Sequence, residues 1–419
     1  MLLFILTGRT SLRGASRVFE IVSSFFQLGQ ASPSWYSGRL WLMRIGYYKL
    51  FREKEIADDW IWIIDHTIQI GNEKCLIILG IRQSALPVGE LYMNHEDEEP
   101  IALLPVKKSN GQIVYEQLEG VVEKTGVPRQ ILSDHGTDVK SGIEKFCQVH
   151  KQTCFGYDIK HKGASVLKRE LRNDESWKRF IQKASKTGKK VQQTPMAHLA
   201  PPNQRSKARY LNVDTLVNWG RNALTYLDSL HVGDWENDLK VIQEKLGWLY
   251  QYRDHLAQWQ ELIDGVKSVE DYIKFIGIYP GCHIDLREQL DMDLTTRRAN
   301  NVRNELVCFV EQLSRDARDG ERLLGSSEII ESVIGKVKSL EQHQARSGFT
   351  GMLLSLPAML SKTTKDVIQK ALESVPTKKV FQWVEENIGQ SVQSKKIEAL
   401  SVVKKSEQKW DDNQAVYVG

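Results

Sequence analysis

The chain has 419 residues and a mass of 48.0 kDa, with 41% hydrophobic and 26% charged residues and a formal net charge of +4. This excludes wholesale disorder and collagen-like or mucin-like sequence, and the length exceeds one ordinary domain. No window approaches the roughly 20 uncharged apolar residues of a membrane span, Met1 to Leu6 is too short and lacks the basic flank of a signal sequence, and Cys75, Cys147, Cys154, Cys282 and Cys308 form no CxxC pair, which reads as reduced cytosolic thiols.

Residues 11–50 predict helix, turn, helix. Ser11 caps a stripe of Leu12, Ala15, Val18, Phe19, Val22, Phe25 and Phe26, Gly29 and Pro33 mark the break, and Ser32 or Ser34 caps a second helix carrying Trp35, Leu40, Trp41 and Ile45. Arg39, Arg44 and Lys49 lie on that second helix, where a recognition helix places its phosphate and base contacts. A plain helical hairpin carries the same pattern. Met1 falls almost on the first element, with no helix before it to complete a three-helix unit, as in a truncated frame. Residues 1–55 hold eight Lys/Arg against three Glu, and residues 158–209 hold fourteen against four acids. Two basic blocks on a near-neutral chain point to two surfaces that meet phosphate, or to a solvated helix face and a Lys-rich linker.

Residues 60–64 form a short apolar strand ending at Asp65, 74–81 form a second, and Gly71-Asn72 between them is a hairpin signal. Residues 101–106 predict a third strand, at an edge because of Pro105. Then follow a helix over 112–125, a strand over 130–133 ending at Asp134, a helix over 138–149, a strand over 153–157 and a helix over 160–172. The order β-β-β-α-β-α-β-α implies a mixed α/β sheet with helices on its faces. The acidic cluster His95 to Glu99 reads as a solvated loop. Residues 186–209 read as a linker rich in Pro, Gly and Lys, although the Lys-rich 183–190 stretch is equally a DNA contact. Residues 210–325 are predominantly helical, and Trp177, Trp219, Trp235, Trp248 and Trp259 in this half read mostly as core. A helix over 328–342, a loop with short helices over 343–375 and a charged amphipathic helix over 377–408 complete the pass.

Asp65 and Asp134 each end an apolar strand, at the sheet rim where α/β proteins place their sites. Such a pair on adjacent strands suits hard divalent metals, which prefer a few carboxylates plus water and substrate phosphate. A single such Asp is more often a turn residue. Glu331 and Lys338 lie seven apart on the late helix and so share one face. His66 and His135 each follow a candidate acid, as braces or as rim residues.

Ile64-Asp65-His66-Thr67, the Asp-His-Gly after Leu132-Ser133, and Ile329-Ile330-Glu331-Ser332 with Lys338 together resemble DDE transposases of bacterial insertion sequences, of the ribonuclease-H-like and retroviral-integrase superfamily. The resemblance covers about 11–340. The E-(6)-K half of the Y-(2)-R-(3)-E-(6)-K signature is present, but Leu324 and Ser327 occupy the Y and R positions. Ser327-Glu328 with Ser332 and Gly335 is similar instead to a run in hAT-type transposases, which makes Glu328 the rival third acid to Glu331.

The resemblance implies a ribonuclease-H-like core interrupted by a large α-helical insertion. Its divisions are 1–55 (helix-turn-helix), 56–185 (first part of the core), 186–325 (insertion), 326–376 (last part of the core) and 377–419 (helical tail). It implies strand cleavage and transfer through Asp65, Asp134 and Glu331 with two Mg²⁺ ions, Mn²⁺ substituting. It implies DNA contacts by Arg39, Arg44, Lys49, His161 and Lys338, of which His161 is structural or phosphate-facing. The implied partners are double-stranded DNA, as terminal inverted repeats and target, and a second copy of the chain, with no membrane and a cytoplasmic, nucleoid-associated prokaryotic setting. Two alternatives stand beside it: a decayed or domesticated transposase that only binds DNA, and a structure-selective nuclease on the same fold.

Overall fold

The computed structural model describes residues 1–8, 10–29, 31–70, 73–203, 213–230, 236–290, 294–342, 351–390, 398 and 400. In chain order the elements are α1 (Leu2–Leu6), α2 (Leu12–Phe25), α3 (Trp35–Phe51), β1 (Trp60–Ile70), β2 (Glu73–Arg82), β3 (Glu99–Val106), α4 (Gly111–Thr125), β4 (Gln130–Ser133), α5 (Thr137–Val149) and β5 (Cys154–Tyr157). There follow α6 (Ile159–Arg172), α7 (Glu175–Val191), α8 (Val213–Ser229), α9 (Glu236–Leu246), α10 (Arg253–Ile276), α11 (Cys282–Gln289) and α12 (Arg297–Ser314). The last are α13 (Glu328–Gln342), α14 (Ser355–Met359), α15 (Lys365–Ser374) and α16 (Thr377–Asn387). The chain divides into two compact units: unit 1 is 1–88, 92–156 and 327–419, and unit 2 is 89–91 and 157–326. Among the described residues no helix is long and apolar enough to cross a membrane.

Unit 1 is built on a five-stranded mixed sheet of order β3-β2-β1-β4-β5. β1 pairs antiparallel with β2, β2 antiparallel with β3, and β1 parallel with β4. The expected β-β-β-α-β-α-β-α order is present, and β3, with Pro105, lies at an edge. The proposed turn at Gly71-Asn72 lies outside the described residues. Alternation along β1 explains its apolar run. Trp60, Trp62 and Ile64 pack with Leu76, Ile78 and Ile131 against Val114, Leu118 and Val121 of α4 and Val139, Ile143 and Phe146 of α5. Ile61 and Ile63, also fully buried, point to the opposite face. A strand covered on both faces reads as continuous apolar sequence.

The pair α2 and α3 falls where helix, turn, helix was expected, capped by Ser11 and Ser34. A short α1 precedes it, although no helix was expected there. The role expected of α3 does not survive its surroundings: it packs inside unit 1 against α14, α15, the 351–354 turn and β3. Gly46 makes that crossing possible, because a Cβ there would meet the Leu354 carbonyl oxygen at 1.7 Å. A helix held this way is an internal strut, not a free recognition helix.

Among its described residues unit 2 is helical, apart from an isolated antiparallel bridge between Ile278 and Leu323. Its centre is aromatic. Trp177 stands edge-on to Trp259 at 4.9 Å, and Phe180 lies 5.2 to 6.4 Å from Trp259, Tyr252, Trp248 and Trp219. Trp177 and Trp259 are therefore core, Trp219 and Trp248 are half-buried against Phe180, and Trp235 lies outside the described residues. Residues 186–191 are helix, where a linker was expected. Ala184, Thr187 and Val191 continue the buried stripe of Trp177 and Phe180, so packing outweighs the helix-weakening Gly188. α16 ends at Asn387, where the Ile388 and Gly389 amides both bond the Val384 carbonyl and Gly389 has φ of 65°; Glu398 and Leu400 are helical, and the rest of the expected helix, over 391–408, lies outside the described residues.

Candidate active site

β1 and β4 run parallel, with Ile61 beside Gln130, Trp62 beside Ile131, Ile63 beside Leu132 and Ile64 beside Ser133. Asp65 and Asp134 are each the next residue along. The two expected acids therefore lie side by side where adjacent central strands of unit 1 reach the sheet rim. Both are half-buried. By strand alternation Asp65 follows Ile61 and Ile63, away from the α4–α5 layer. Asp134 opens the turn into α5: its Oδ1 accepts the Gly136 amide at 3.2 Å, and the Ser133 hydroxyl donates to the Asp134 carbonyl at 2.7 Å. This local turn fixes the carboxylate relative to the strand.

α13 packs against β1 within the same unit. It starts at Glu328, as the sequence predicts, and carries both rival acids, Glu328 and Glu331, in its first turn; both are half-buried. Lys338 further along is exposed. Lys336, not Lys338, reaches back, its Nζ lying 2.8 Å from His95 Nε2. Among the described residues no three His, Cys, Asp or Glu side chains converge tightly enough to hold a metal ion by themselves. The donor chemistry still fits a hard cation, because Mg²⁺ typically takes one or two carboxylates and fills its remaining positions with water and substrate phosphate.

On the α4–α5 side of the rim, beside the acid pair, lies a polar cluster of which the sequence singled out only His66, as a brace or rim residue, and missed Lys74, Ser109 and Asp138. Lys74 Nζ donates to Asp138 Oδ2 at 2.8 Å, His66 Nδ1 lies 3.4 Å from the same oxygen, and Ser109 Oγ is 3.5 Å from His66 Nε2. Burial raises the Asp138 pKa, but hydrogen bonds from Lys74 and Ser109 and the charges of His66 and Lys74 outweigh it and hold the carboxyl at about 2. Burial pushes the His66 imidazole below its ordinary pKa, against the pull of Asp138 and Asp134. His66 is thus a brace between β1 and the first turn of α5. The available signal was Asp138 itself, a second carboxylate four residues past Asp134. His135 stacks near Phe155, with ring centroids 5.1 Å apart.

The expected DNA contacts of the N-terminal segment are mostly internal. Lys49 is fully buried, and its Nζ donates to the Ser361 carbonyl at 2.7 Å, the Thr363 hydroxyl at 2.6 Å and the carbonyls of Ala358 and Leu360. Arg44 Nε donates to the Val375 carbonyl at 2.6 Å and its Nη2 to the Leu372 carbonyl. These side chains close the ends of α14 and α15, so their donors are spent inside unit 1. Arg39 is half-buried, and burial lowers its pKa. In unit 2, His161 is tied to the cap of α6: its amide and Nδ1 lie 2.8 and 3.0 Å from Asp158 Oδ1.

The acidic cluster at 95–99 is a solvated loop only in part: Glu96 and Asp97 are exposed in a turn, but the two acids after them turn inward. Glu99 binds Lys54 at 2.8 Å and Arg52 as well. Glu98 is fully buried with neither carboxyl oxygen hydrogen-bonded, and burial, with Asp97 adding, pushes its pKa up to about 8. The start of β3 drags these residues inward.

No family model matches the chain, and no curated protein matches it in sequence. Among solved structures it is similar to the Drosophila P element transposase strand transfer complex, at 13% identity and a TM-score of 0.37, over 83% of this chain and 89% of that one.

Proposed function

We propose that this chain is a ribonuclease-H-like transposase that cleaves DNA at the ends of a mobile element and joins them to a target. The observation that carries the reading is the parallel register that sets Asp65 beside Asp134 at the rim of the 3-2-1-4-5 sheet. Asp65 and Asp134 would hold Mg²⁺, with Glu331 of α13 as third acid and Glu328 as its alternative. Bound divalent ions would supply charge stabilisation at the scissile phosphate and activation of the attacking oxygen. The chain's own contribution is placement. Asp65 is fixed by its pairing with Ile77 of β2, one residue past the last β1–β4 pair, Asp134 by its turn, and the His66–Asp138–Lys74 brace keeps α5 against β1. Each reaction is an in-line displacement: a water or a 3′-hydroxyl oxygen forms the new bond to phosphorus as the bond to the leaving oxygen breaks. Rigid positioning is the main lever for such chemistry. Unit 2 would be the helical insertion between the second and third acids. Pairing two element ends would require two copies of the chain.

The test is cleavage and joining of labelled DNA ends with Mg²⁺ or Mn²⁺. Asp65→Asn and Asp134→Asn should each lose on the order of 100-fold or more in rate while remaining folded. Full activity in either variant removes the assignment. A second reading, a DNA-binding protein without catalysis, is favoured by the lack of a three-ligand cluster among the described residues. Calorimetry with Mn²⁺ in the presence of a DNA end separates the two: binding that depends on Asp65 and Asp134 supports the enzyme, and identical behaviour of wild type and both variants supports the relic.

A further inference from the structure

Helix α7 of unit 2 carries six basic residues and a single acid, Glu175. Its buried side is Trp177, Phe180, Ala184, Thr187 and Val191, locked into the aromatic core; Thr187 Oγ1 also accepts the Trp248 indole N–H at 3.0 Å. Helical geometry places Arg179, Lys183, Lys186 and Lys190 within about 60° of one another, on a stripe beside that buried side. Arg179, Lys186 and Lys190 are exposed. Lys183 is half-buried, its Nζ 5.2 and 5.7 Å from the Tyr252 and Trp248 ring centroids and 3.1 Å from Gln251 Oε1. Among the described residues none of the four has an ion-pair partner, and Glu175 is bound to Lys178 at 2.7 Å.

Like charges at i, i+4, i+7 and i+11 destabilise a helix by a few tenths of a kcal/mol per neighbouring pair. The fold offsets that cost through the aromatic core, and the single acid of α7, Glu175, is bound to Lys178 while its charge also reaches Arg179 at the start of the stripe. An external polyanion would neutralise the rest. The stripe is about 16 Å long, the axial reach of roughly five phosphates on one DNA strand. It presents charge without a pocket, which suits a backbone contact rather than base readout. We infer that the stripe Arg179–Lys183–Lys186–Lys190 is a duplex-DNA backbone contact surface of unit 2. This rests on the proposed reading of the chain as a DNA-processing enzyme, and it assigns a backbone contact to residues other than Arg44 and Lys49, whose donors are taken by backbone carbonyls of unit 1.

The experiment is the salt dependence of duplex binding by the full chain, read by fluorescence anisotropy over a KCl series. In Arg179→Gln/Lys186→Gln/Lys190→Gln the slope of log affinity against log salt should fall by about 2.7, from about 0.9 per lost phosphate contact. The charge-keeping Arg179→Lys/Lys186→Arg/Lys190→Arg should retain the wild-type slope. An unchanged slope in the Gln variant, equal loss in both variants, or no duplex binding by wild type overturns the surface. Asp65→Asn separates the two ideas. If it abolishes cleavage while the Gln variant keeps its slope, the stripe fails alone. If it cleaves normally while the Gln variant loses slope, the active-site reading fails and the stripe stands.

Discussion

Ile64 and Ser133 are paired in the parallel β1–β4 ladder, and this single register position decides where both aspartates lie. A shift of one residue would turn Asp65 or Asp134 to the other face of the sheet and bury a carboxylate among the α4–α5 side chains. The apolar faces of β1 resist that shift, so the packing of Trp62 and Ile64 sets the geometry of the acid pair.

The third acid can be named by substitution. Glu331→Gln should lower metal-dependent cleavage on the order of 100-fold, while Glu328→Gln should stay within about 3-fold of wild type. Both changes keep the helix and the side-chain volume. Loss in Glu328→Gln alone would transfer the role to that residue.

Asp138 ties α5 to β1, and its carboxyl is held at about 2 in the folded protein against 3.8 as its ordinary value. A depressed carboxyl contributes stability above its unfolded pKa and loses it as pH falls through the folded one. Asp138→Asn should therefore destabilise by about 1–3 kcal/mol at neutral pH, with the difference from wild type shrinking between about pH 4 and pH 2. Urea midpoints at several pH values measure it; a difference independent of pH would contradict the pairing.

Lys49→Met should be among the more damaging changes in unit 1. It removes the donor from the Leu360 and Ser361 carbonyls inside a buried turn and leaves the Ala358 carbonyl only the Thr363 hydroxyl, at a cost of about 3 kcal/mol or more. Arginine should not rescue it, because its planar fork does not fit a cage built around a point donor. A thermal midpoint equal to wild type would show that the cage adds nothing.

Glu98 reports in the opposite direction. Its carboxyl is protonated up to about pH 8 in the fold, against 4.5 as its ordinary value. A raised pKa gives stability that is complete below the unfolded value and lost as pH rises through the folded one. Between about pH 4.5 and pH 8 this group should lower stability by roughly 1.4 kcal/mol per pH unit. Glu98→Leu should flatten that slope and be the more stable protein at alkaline pH; parallel curves for the two proteins would rule out burial of an ionisable Glu98.

What could be read beforehand follows from range. The strand ends at Asp65 and Asp134, and the start of α13 at Glu328, are set by apolar runs and caps within a few residues of each site, so pattern alone located them. The partners of Arg44 and Lys49 are the Val375 and Leu360 carbonyls, more than three hundred positions away along the chain. A cationic helix reads as a surface until such partners are known. Glu98 misleads in the same way: four polar neighbours suggested solvent, whereas the following strand carries it into the interior. Lys186 to Lys190 misled in reverse, because Gly188 and the lysines outweighed the buried period of Ala184, Thr187 and Val191. Asp138 was legible as a helix-start carboxylate, but nothing nearby announced Lys74 or Ser109 as its partners.

The Ile159 amide donates to the Gly325 carbonyl at 2.9 Å, so the two ends of unit 2 are hydrogen-bonded to each other. For a chain emerging from the ribosome this changes the order of events. The sheet strands are made first, but α13 arrives only after all of unit 2. Left unfolded, that intervening stretch would impose the closure entropy of a very long loop on the docking of α13. Once folded, unit 2 behaves as a short staple that returns the polypeptide to where it departed. Mutations that loosen the Ile159–Gly325 clasp should therefore slow maturation of the sheet unit more than they lower its final stability, a signature visible in refolding rates rather than in melting temperatures.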